Sequence, residues 1–300
     1  MNKKILIEAA GSPVVNWLVK AIKDNGDIPV ASDITGESAG KFLAGEFVKV
    51  PPHNDPDLWR FLEHILVAAK IDIVIPALDE TLPLWAAQKE YLACKYGIKV
   101  VISEKETIDI FLDKYQTYLF FTENQIPTPQ VSLRQEYPLI KPRTGRGGKG
   151  VRVIEEEKIS MEGLISQEFL SGQEYTVDCL IDHKGRPVYI VPRKRLKVTE
   201  GKSVHGIVTR HEEIIDLVEQ VCKAIRFFGP INIQCFATEK GIMFTEINPR
   251  IGGGMALGLA ATENWITLIE KYLLPGKEIE EKKEIKYGLR MYRYYEEIFV

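Results

Sequence analysis

The sequence predicts a mixed α/β and α+β fold, with a parallel-sheet unit first and an antiparallel, loop-rich unit after it. Three observations predict it. Apolar strands alternate with amphipathic helices over about the first 100 residues, the pattern of an open parallel sheet. From Ser103 onward, glycine-rich turns and strands replace that alternation. A predicted hairpin, 231–237 with 242–247, then runs into F-T-E-I-N-P-R-I-G-G-G, Phe244 to Gly254.

The elements follow in order. Residues 3–9 read as a buried strand, and the turn Gly11-Ser12-Pro13 opens a helix with Val14, Val15, Leu18, Val19 and Ile22 at helical spacing. Asn25-Gly26 stops it. Strands at Ile28–Ser32, Ile71–Pro76 and Lys99–Ile102 alternate with helices at 56–70 and Asp79–Lys95. The first turn, A-A-G-S-P-V-V, lacks the G-x-G-x-x-G spacing of a dinucleotide site. Ser103-Glu104-Lys105-Glu106 has capping-box chemistry and starts a helix running through Ile108–Leu112 and Tyr118–Phe121. A proline-bearing connector, 124–129, precedes a strand at Tyr137–Pro142, the loop R-T-G-R-G-G-K-G at 143–150, and a strand at 151–154. Further strands are expected at Ser166–Leu170, Glu174–Ile181 and Val188–Val191. Helices are expected at 212–227 and 256–273, with a charged connector at 277–286 and a strand over the last fourteen residues.

Bulk properties narrow the function. The length of 300 residues suggests two or three compact units. A net charge of −3 argues against an obligatory nucleic-acid binder, which would carry a basic domain. The four cysteines, Cys94, Cys179, Cys222 and Cys235, form no C-x-x-C pair and read as reduced thiols, three of them in apolar surroundings. No apolar run reaches the ~18 residues of a membrane span, and the N-terminal run is too short for a signal peptide. A cytoplasmic location is expected.

Chemistry concentrates in four places. Glu246 and Asn248 lie two apart on a strand and so share a face; Pro249 ends pairing and Arg250 projects beyond it. Gln234 lies on the neighbouring strand, and directly opposed side chains sit about 5 Å apart. A carboxylate, two amides and a guanidinium suit a magnesium ion with phosphates. The plainer alternative is a strand end with an Asn turn and a surface Arg. The loop 143–150 carries four glycines with Arg143, Arg146 and Lys149, and Lys141 lies on the strand leading in. It is no Walker loop, but its amides can face phosphate oxygens; a plain surface hairpin is the alternative. Extended backbone at Glu168–Leu170 can meet an adenine edge and Glu174 a ribose, or the segment is a solvated turn. The segment Pro192–Arg210 is dense in cations, with Arg195, Lys202 and His205 as candidates for an anionic substrate; the alternative is a solvated basic loop.

Taken in order, D-K at 113–114, Y-P-L-I-K-P-x-x-G-x-G-G-K-G at 137–150, Q-E-F-L-S-G-Q-E-Y at 167–175, N-I-Q at 232–234 and E-I-N-P-R-I-G-G-G at 246–254 resemble the ATP-grasp superfamily. The likeness is to its carbamoyl-phosphate-synthase-like branch and covers essentially the whole chain. It implies a pre-ATP-grasp Rossmann-like domain at 1–103, a small ATP-grasp subdomain with a glycine-rich lid at 104–170, and a large subdomain with a metal site at 171–300. It implies that Lys114 and Lys141 contact ATP phosphates, and that Gly145, Gly147, Gly148, Lys149 and Gly150 belong to the covering loop. Glu168, Phe169 and Leu170 would contact adenine and Glu174 ribose. Gln234, Glu246 and Asn248 would bind Mg2+, for which Mn2+ can substitute, and Arg250 would stabilise the transferred γ-phosphoryl. The implied activity is ATP-dependent ligation of a small carboxylate to an amine, by a homodimer, with no nucleic-acid or membrane partner. Two other readings stand beside it: one subunit of a split synthase, and a non-catalytic ATP-binding module. A complete carbamoyl-phosphate-synthase large chain has two such halves and this chain has one, so that synthesis by this chain alone is not expected. Gln167 stands where an acidic residue is common.

Overall fold

A computed structural model describes residues 2–154, 156–199 and 201–300. Three sheets follow one another along the chain. The first is parallel and five-stranded: β1 (Lys4–Ile7), β2 (Ile28–Asp33), β3 (Glu46–Lys49), β4 (Ile73–Ile75) and β5 (Lys99–Val100), in spatial order β3-β2-β1-β4-β5. Helices α1 (Val15–Asp24), α2 (Ala39–Ala44), α3 (Leu58–Ala68) and α4 (Leu82–Tyr96) lie between these strands in the chain. Val15, Leu18, Val19 and Ile22 form the buried stripe of α1, as their spacing predicts. α2 and β3 escape sequence reading because six and four residues are too few to show a period. The helix expected from Asp79 begins with a 3₁₀ turn at Asp79–Thr81 before α4.

The second unit opens with α5 (Lys105–Leu112) and α6 (Lys114–Glu123). Ser103 does not cap α5; its hydroxyl accepts the Phe228 amide at 3.0 Å instead. Asp113 caps α6, its Oδ1 accepting the Tyr115 amide at 2.8 Å. The antiparallel sheet beside them holds β6 (Val131–Ser132), β7 (Leu139–Pro142), β8 (Arg152–Val153) and β9 (Leu164–Gln167), in order β6-β9-β7-β8. β7 and β8 pair across the glycine loop. The strand expected at Ser166–Leu170 ends at Gln167.

The third sheet is antiparallel and six-stranded: β10 (Gln173–Ile181), β11 (Pro187–Thr199), β12 (Lys202–Val208), β13 (Gly229–Thr238), β14 (Gly241–Asn248) and β15 (Arg290–Tyr292), in order β14-β13-β10-β11-β12-β15. One face, with Val177, Cys179, Ile233, Cys235 and Phe244, packs in one apolar core with Ile214, Val218 and Val221 of α7 (Glu212–Ala224). The far part of the other face, including Leu180 and Val191, shares a core with α1 and with α8 (Ala256–Ala261) and α9 (Trp265–Leu268). What remains of that face is polar and open. The single helix expected at 256–273 is broken: Thr262 leaves helical geometry at φ −121° and ψ −106°, Asn264 caps α9, and a π-helical turn follows at Ile269–Leu273. The cationic segment 192–210 is mainly the β11–β12 hairpin rather than an irregular loop, with Glu200 outside the described residues. Of the last fourteen residues only Arg290–Tyr292 pair as a strand, against β12. Cys179, Cys222 and Cys235 are buried and Cys94 exposed, all free thiols. Among the described residues no helix is long and apolar enough to cross a membrane.

Candidate active site

The polar face of the third sheet floors a cleft of about 700 Å³, whose walls are the glycine loop and the C-terminal ends of the first parallel strands. Register sets the floor. Gln234 lies directly opposite Glu246, and Asn232 opposite Asn248. Thr176 faces Gln234 on one side and Arg193 on the other. A β-bulge at Thr245 makes this possible: pairing shifts from Gln234–Glu246 to Cys235–Phe244, and strand parity changes there. Phe244 and Ile247, three apart, therefore both enter the core, while Glu246 and Asn248 face the cleft.

Gln234, Glu246 and Asn248 all offer oxygen, the donor that Mg2+ prefers. Among the described residues no cluster of three or more His, Cys, Asp and Glu side chains suits a metal. One carboxylate with two amides fits an ion that takes its remaining ligands from phosphates and water, and is a weak set for a bare one. Asn248 Oδ1 also accepts from Arg250 Nη2 at 3.1 Å.

The cations gather around that floor. Lys141 on β7 is 7% exposed. Burial pushes its ammonium down to about 8; Glu246 opposes the shift and Lys114 adds to it. Lys114, at the start of α6, donates to the Gly145 carbonyl at 2.8 Å, and Arg143 pairs with Asp113. The loop is tethered on two sides. Arg146 meets Glu80 at 3.2 Å, and Gly201 at the β11–β12 turn lies so close that a Cβ there would be 2.5 Å from the Gly147 carbonyl oxygen. Gly145, Gly147, Gly148 and Lys149 line the cleft; Gly150 does not.

Arg250 is held rather than free. Its guanidinium forks onto both Asp79 oxygens, with Nη2 to Oδ2 at 2.9 Å, and Nη1 donates to the Ile251 carbonyl. Burial works against this charge, but Asp79, with Glu246 and Glu80 beyond it, keeps Arg250 firmly protonated. Asp79 stands at the 3₁₀ turn of the first unit, so this pair joins the end of β14 to the parallel sheet.

At the other end, Glu174 lines the cleft and pairs with Arg195, which also donates to the Gly201 carbonyl at 2.7 Å. Glu168, Phe169 and Leu170 do not line it. The Glu168 amide donates to Gln130, its carboxylate meets Lys240 at 3.3 Å, and the Phe169 ring is exposed. Lys202 lines the cleft. His205 does not, and its ring stacks on Tyr292 at 4.1 Å. Sequence reading missed Glu8, Asp79 and Arg193. Glu8, just after β1, is buried, its carboxylate accepting from Trp85, Thr81 and the Ala77 amide; burial nevertheless pushes its pKa up.

Residues 111–254, which supply both lysines, the glycine loop and the floor, match the family described as ATP-grasp domain. The chain carries an ATP-grasp domain. Its fold as a whole is similar to the biotin carboxylase domain of Hydrogenobacter thermophilus 2-oxoglutarate carboxylase, with a TM-score of 0.73 at 18% identity over 97% of this chain and 73% of that one. N5-carboxyaminoimidazole synthetase from Staphylococcus aureus, solved with ADP, gives a TM-score of 0.73 at 16% identity over 95% and 81%. L-amino acid ligase from Bacillus licheniformis gives 0.70 at 18% over 91% and 74%. A carbamoyl-phosphate synthase of Methanobrevibacter smithii is 24% identical over 189 residues, 57% of this chain and 50% of that protein. The chain thus aligns with about half the length of that relative. The ATP-grasp match includes α6, the glycine loop and β14, and stops at Gly254.

Proposed function

We propose that this ATP-grasp chain is an ATP- and Mg2+-dependent carboxylate–amine ligase. The observation that carries the reading is the single cleft in which Lys141 and Lys114, the glycine loop and the opposed Gln234–Glu246 pair come together. A carboxylate oxygen of the acid attacks the γ-phosphorus and ADP leaves. The amine then attacks the acyl carbon of the acyl phosphate, and phosphate departs with the carboxylate oxygen. Phosphoryl transfer asks a protein for positioning and charge neutralisation, which this cleft supplies. Lys114 and Lys141 meet the phosphates, and the amides of the glycine loop cover them and exclude water from the acyl phosphate. Glu174, which lines the cleft, accepts the ribose hydroxyls, and the backbone of Glu168–Leu170 just before it is the proposed adenine contact. Gln234, Glu246 and Asn248 hold Mg2+, or Mn2+ in its place, which offsets triphosphate charge. Arg250, oriented by Asp79, faces the γ-phosphoryl. The first parallel unit and the β11–β12 hairpin bind the acid.

The ligands support this reading through their neighbours: ADP is bound by the S. aureus synthetase, and MgADP by the H. thermophilus domain. Phosphate release from Mg-ATP, screened over carboxylic acids against amines and amino acids, tests it. Glu246→Gln removes the only carboxylate of the metal set and should reduce ADP formation at least a hundredfold. A variant with wild-type turnover on the full substrate set would contradict the metal assignment. One observation favours a second reading, a subunit of a split synthase: the carbamoyl-phosphate synthase relative is about twice the aligned length. Co-purification with a second ATP-grasp chain or a glutaminase would support it.

A further inference from the structure

One corner of the cleft lies away from the metal-facing residues and is built differently. Arg193 on β11 is 1% exposed and yet lines the cleft. Asp178 takes its Nε at 2.5 Å and its Nη2 at 2.9 Å, and Asn232 completes Asp178 at 2.8 Å. Nη1 is buried and has no partner among the described residues. A buried guanidinium N–H without an acceptor is costly, and a ligand oxygen reaching it would supply the acceptor that the protein does not. Gly254 fits against the same guanidinium: a Cβ there would stand 2.9 Å from Nη2 and 3.1 Å from Nη1. The glycine lets the chain after Arg250 run directly over the arginine.

A second cation stands close by. Arg293 donates to the carbonyls of Ser203 (2.9 Å), Pro13 (3.2 Å) and Gly253, and pairs with no carboxylate among the described residues. Burial pushes its pKa down and the Arg193 charge pushes it further, so the two guanidinium groups sense each other. Asp178 cancels one of these charges and leaves the corner net positive. Asp178 faces Asn232, which faces Asn248, so the corner lies two strand spacings, about 10 Å, from the end of the metal-facing strand. That is the span of a small molecule with a reacting group at one end and an anion at the other.

We propose that Arg193 Nη1, with Arg293 behind it, receives a substrate carboxylate that is not the one phosphorylated. An amino acid whose amine is the nucleophile brings such a group, as does a dicarboxylic acid donor. The inference rests on the ligase reading for what happens at the far end, and its test reads binding rather than turnover.

Calorimetry in saturating MgADP gives that test, with two probe sets: the common L-amino acids beside their α-carboxamides, and short dicarboxylic acids beside their monomethyl esters. At least one acid should bind ten times or more tightly than its amide or ester. Discrimination in the first set assigns the carboxylate to the acceptor, and in the second set to the donor. Arg193→Lys keeps the charge but loses the fork, and should weaken that acid at least tenfold while MgADP affinity stays within twofold. Amides and esters that bind as tightly as acids, no acid binding at all, or full acid affinity in Arg193→Lys would overturn the proposal. The acid–amide comparison uses the unaltered chain and stands even where the variant does not fold. An acid-selective chain that releases no ADP would sink the ligase reading and leave this subsite in place.

Discussion

Lys141 is a buried cation that ATP phosphates would meet under the proposed function. With its ammonium at about 8 rather than the ordinary 10.5, its charge costs the apo fold about 3 kcal/mol at neutral pH. The folded value is the lower one, so the unfolded chain binds more protons between about 8 and about 10.5, and apo stability from this group rises with pH across that window. On the proposed role of Lys141, nucleotide binding would run the other way, since phosphates favour the charged ammonium. kcat/KM for ATP, which reports the free enzyme, should therefore fall above about pH 8, while kcat holds to higher pH because bound phosphates restore the proton. A kcat/KM profile flat to pH 9.5 would contradict the assignment. Lys141, Gln234, Glu246 and Asn248 were legible in the sequence because strand alternation and a glycine loop are local signals. Asp79 was not, because its partner Arg250 is 171 residues away. Arg193 read as one cation of a basic stretch, since nothing local shows that Asp178 on the next strand and Gly254 on a later loop bury it.

Among the elements, β14 shows where alternation misleads. A strict period of two would put Phe244 on the face of Glu246; the bulge at Thr245 separates them. The spacing of three between Phe244 and Ile247 was the available signal. The β11–β12 hairpin was hidden for another reason: cations crowd its outer half, where Leu196 and Val198 alternate with them but stay exposed. The glycine loop is the element whose motion the proposed reaction needs. Its Arg146–Glu80 tether is partly exposed on both sides and worth about 1 kcal/mol or less. Trypsin cleavage at Arg143, Arg146 or Lys149 should be suppressed by Mg-ATP. Glu80→Ala should speed cleavage of the apo chain by about fivefold at most, the factor equivalent to 1 kcal/mol. Unchanged cleavage with and without Mg-ATP would remove the lid from the mechanism.

On the scale of the molecule, three sheets in sequence order close on one cleft. The first unit is joined to the third sheet by the buried Arg250–Asp79 fork and by the apolar core that α1 shares with α8 and α9. That order was readable, because strand–helix alternation gives way to glycine turns and long strands near Ser103. Contacts where the sheets meet, such as Arg293 with Pro13, were not readable, because tertiary packing sets them. On the proposed function, ATP activates a carboxylate by phosphorylating it. Its most direct test is oxygen transfer: turn over an acid that supports phosphate release, labelled with 18O in its carboxylate, and weigh the phosphate by mass spectrometry. Each phosphate released should carry one 18O atom; phosphate free of label would rule out carboxylate phosphorylation.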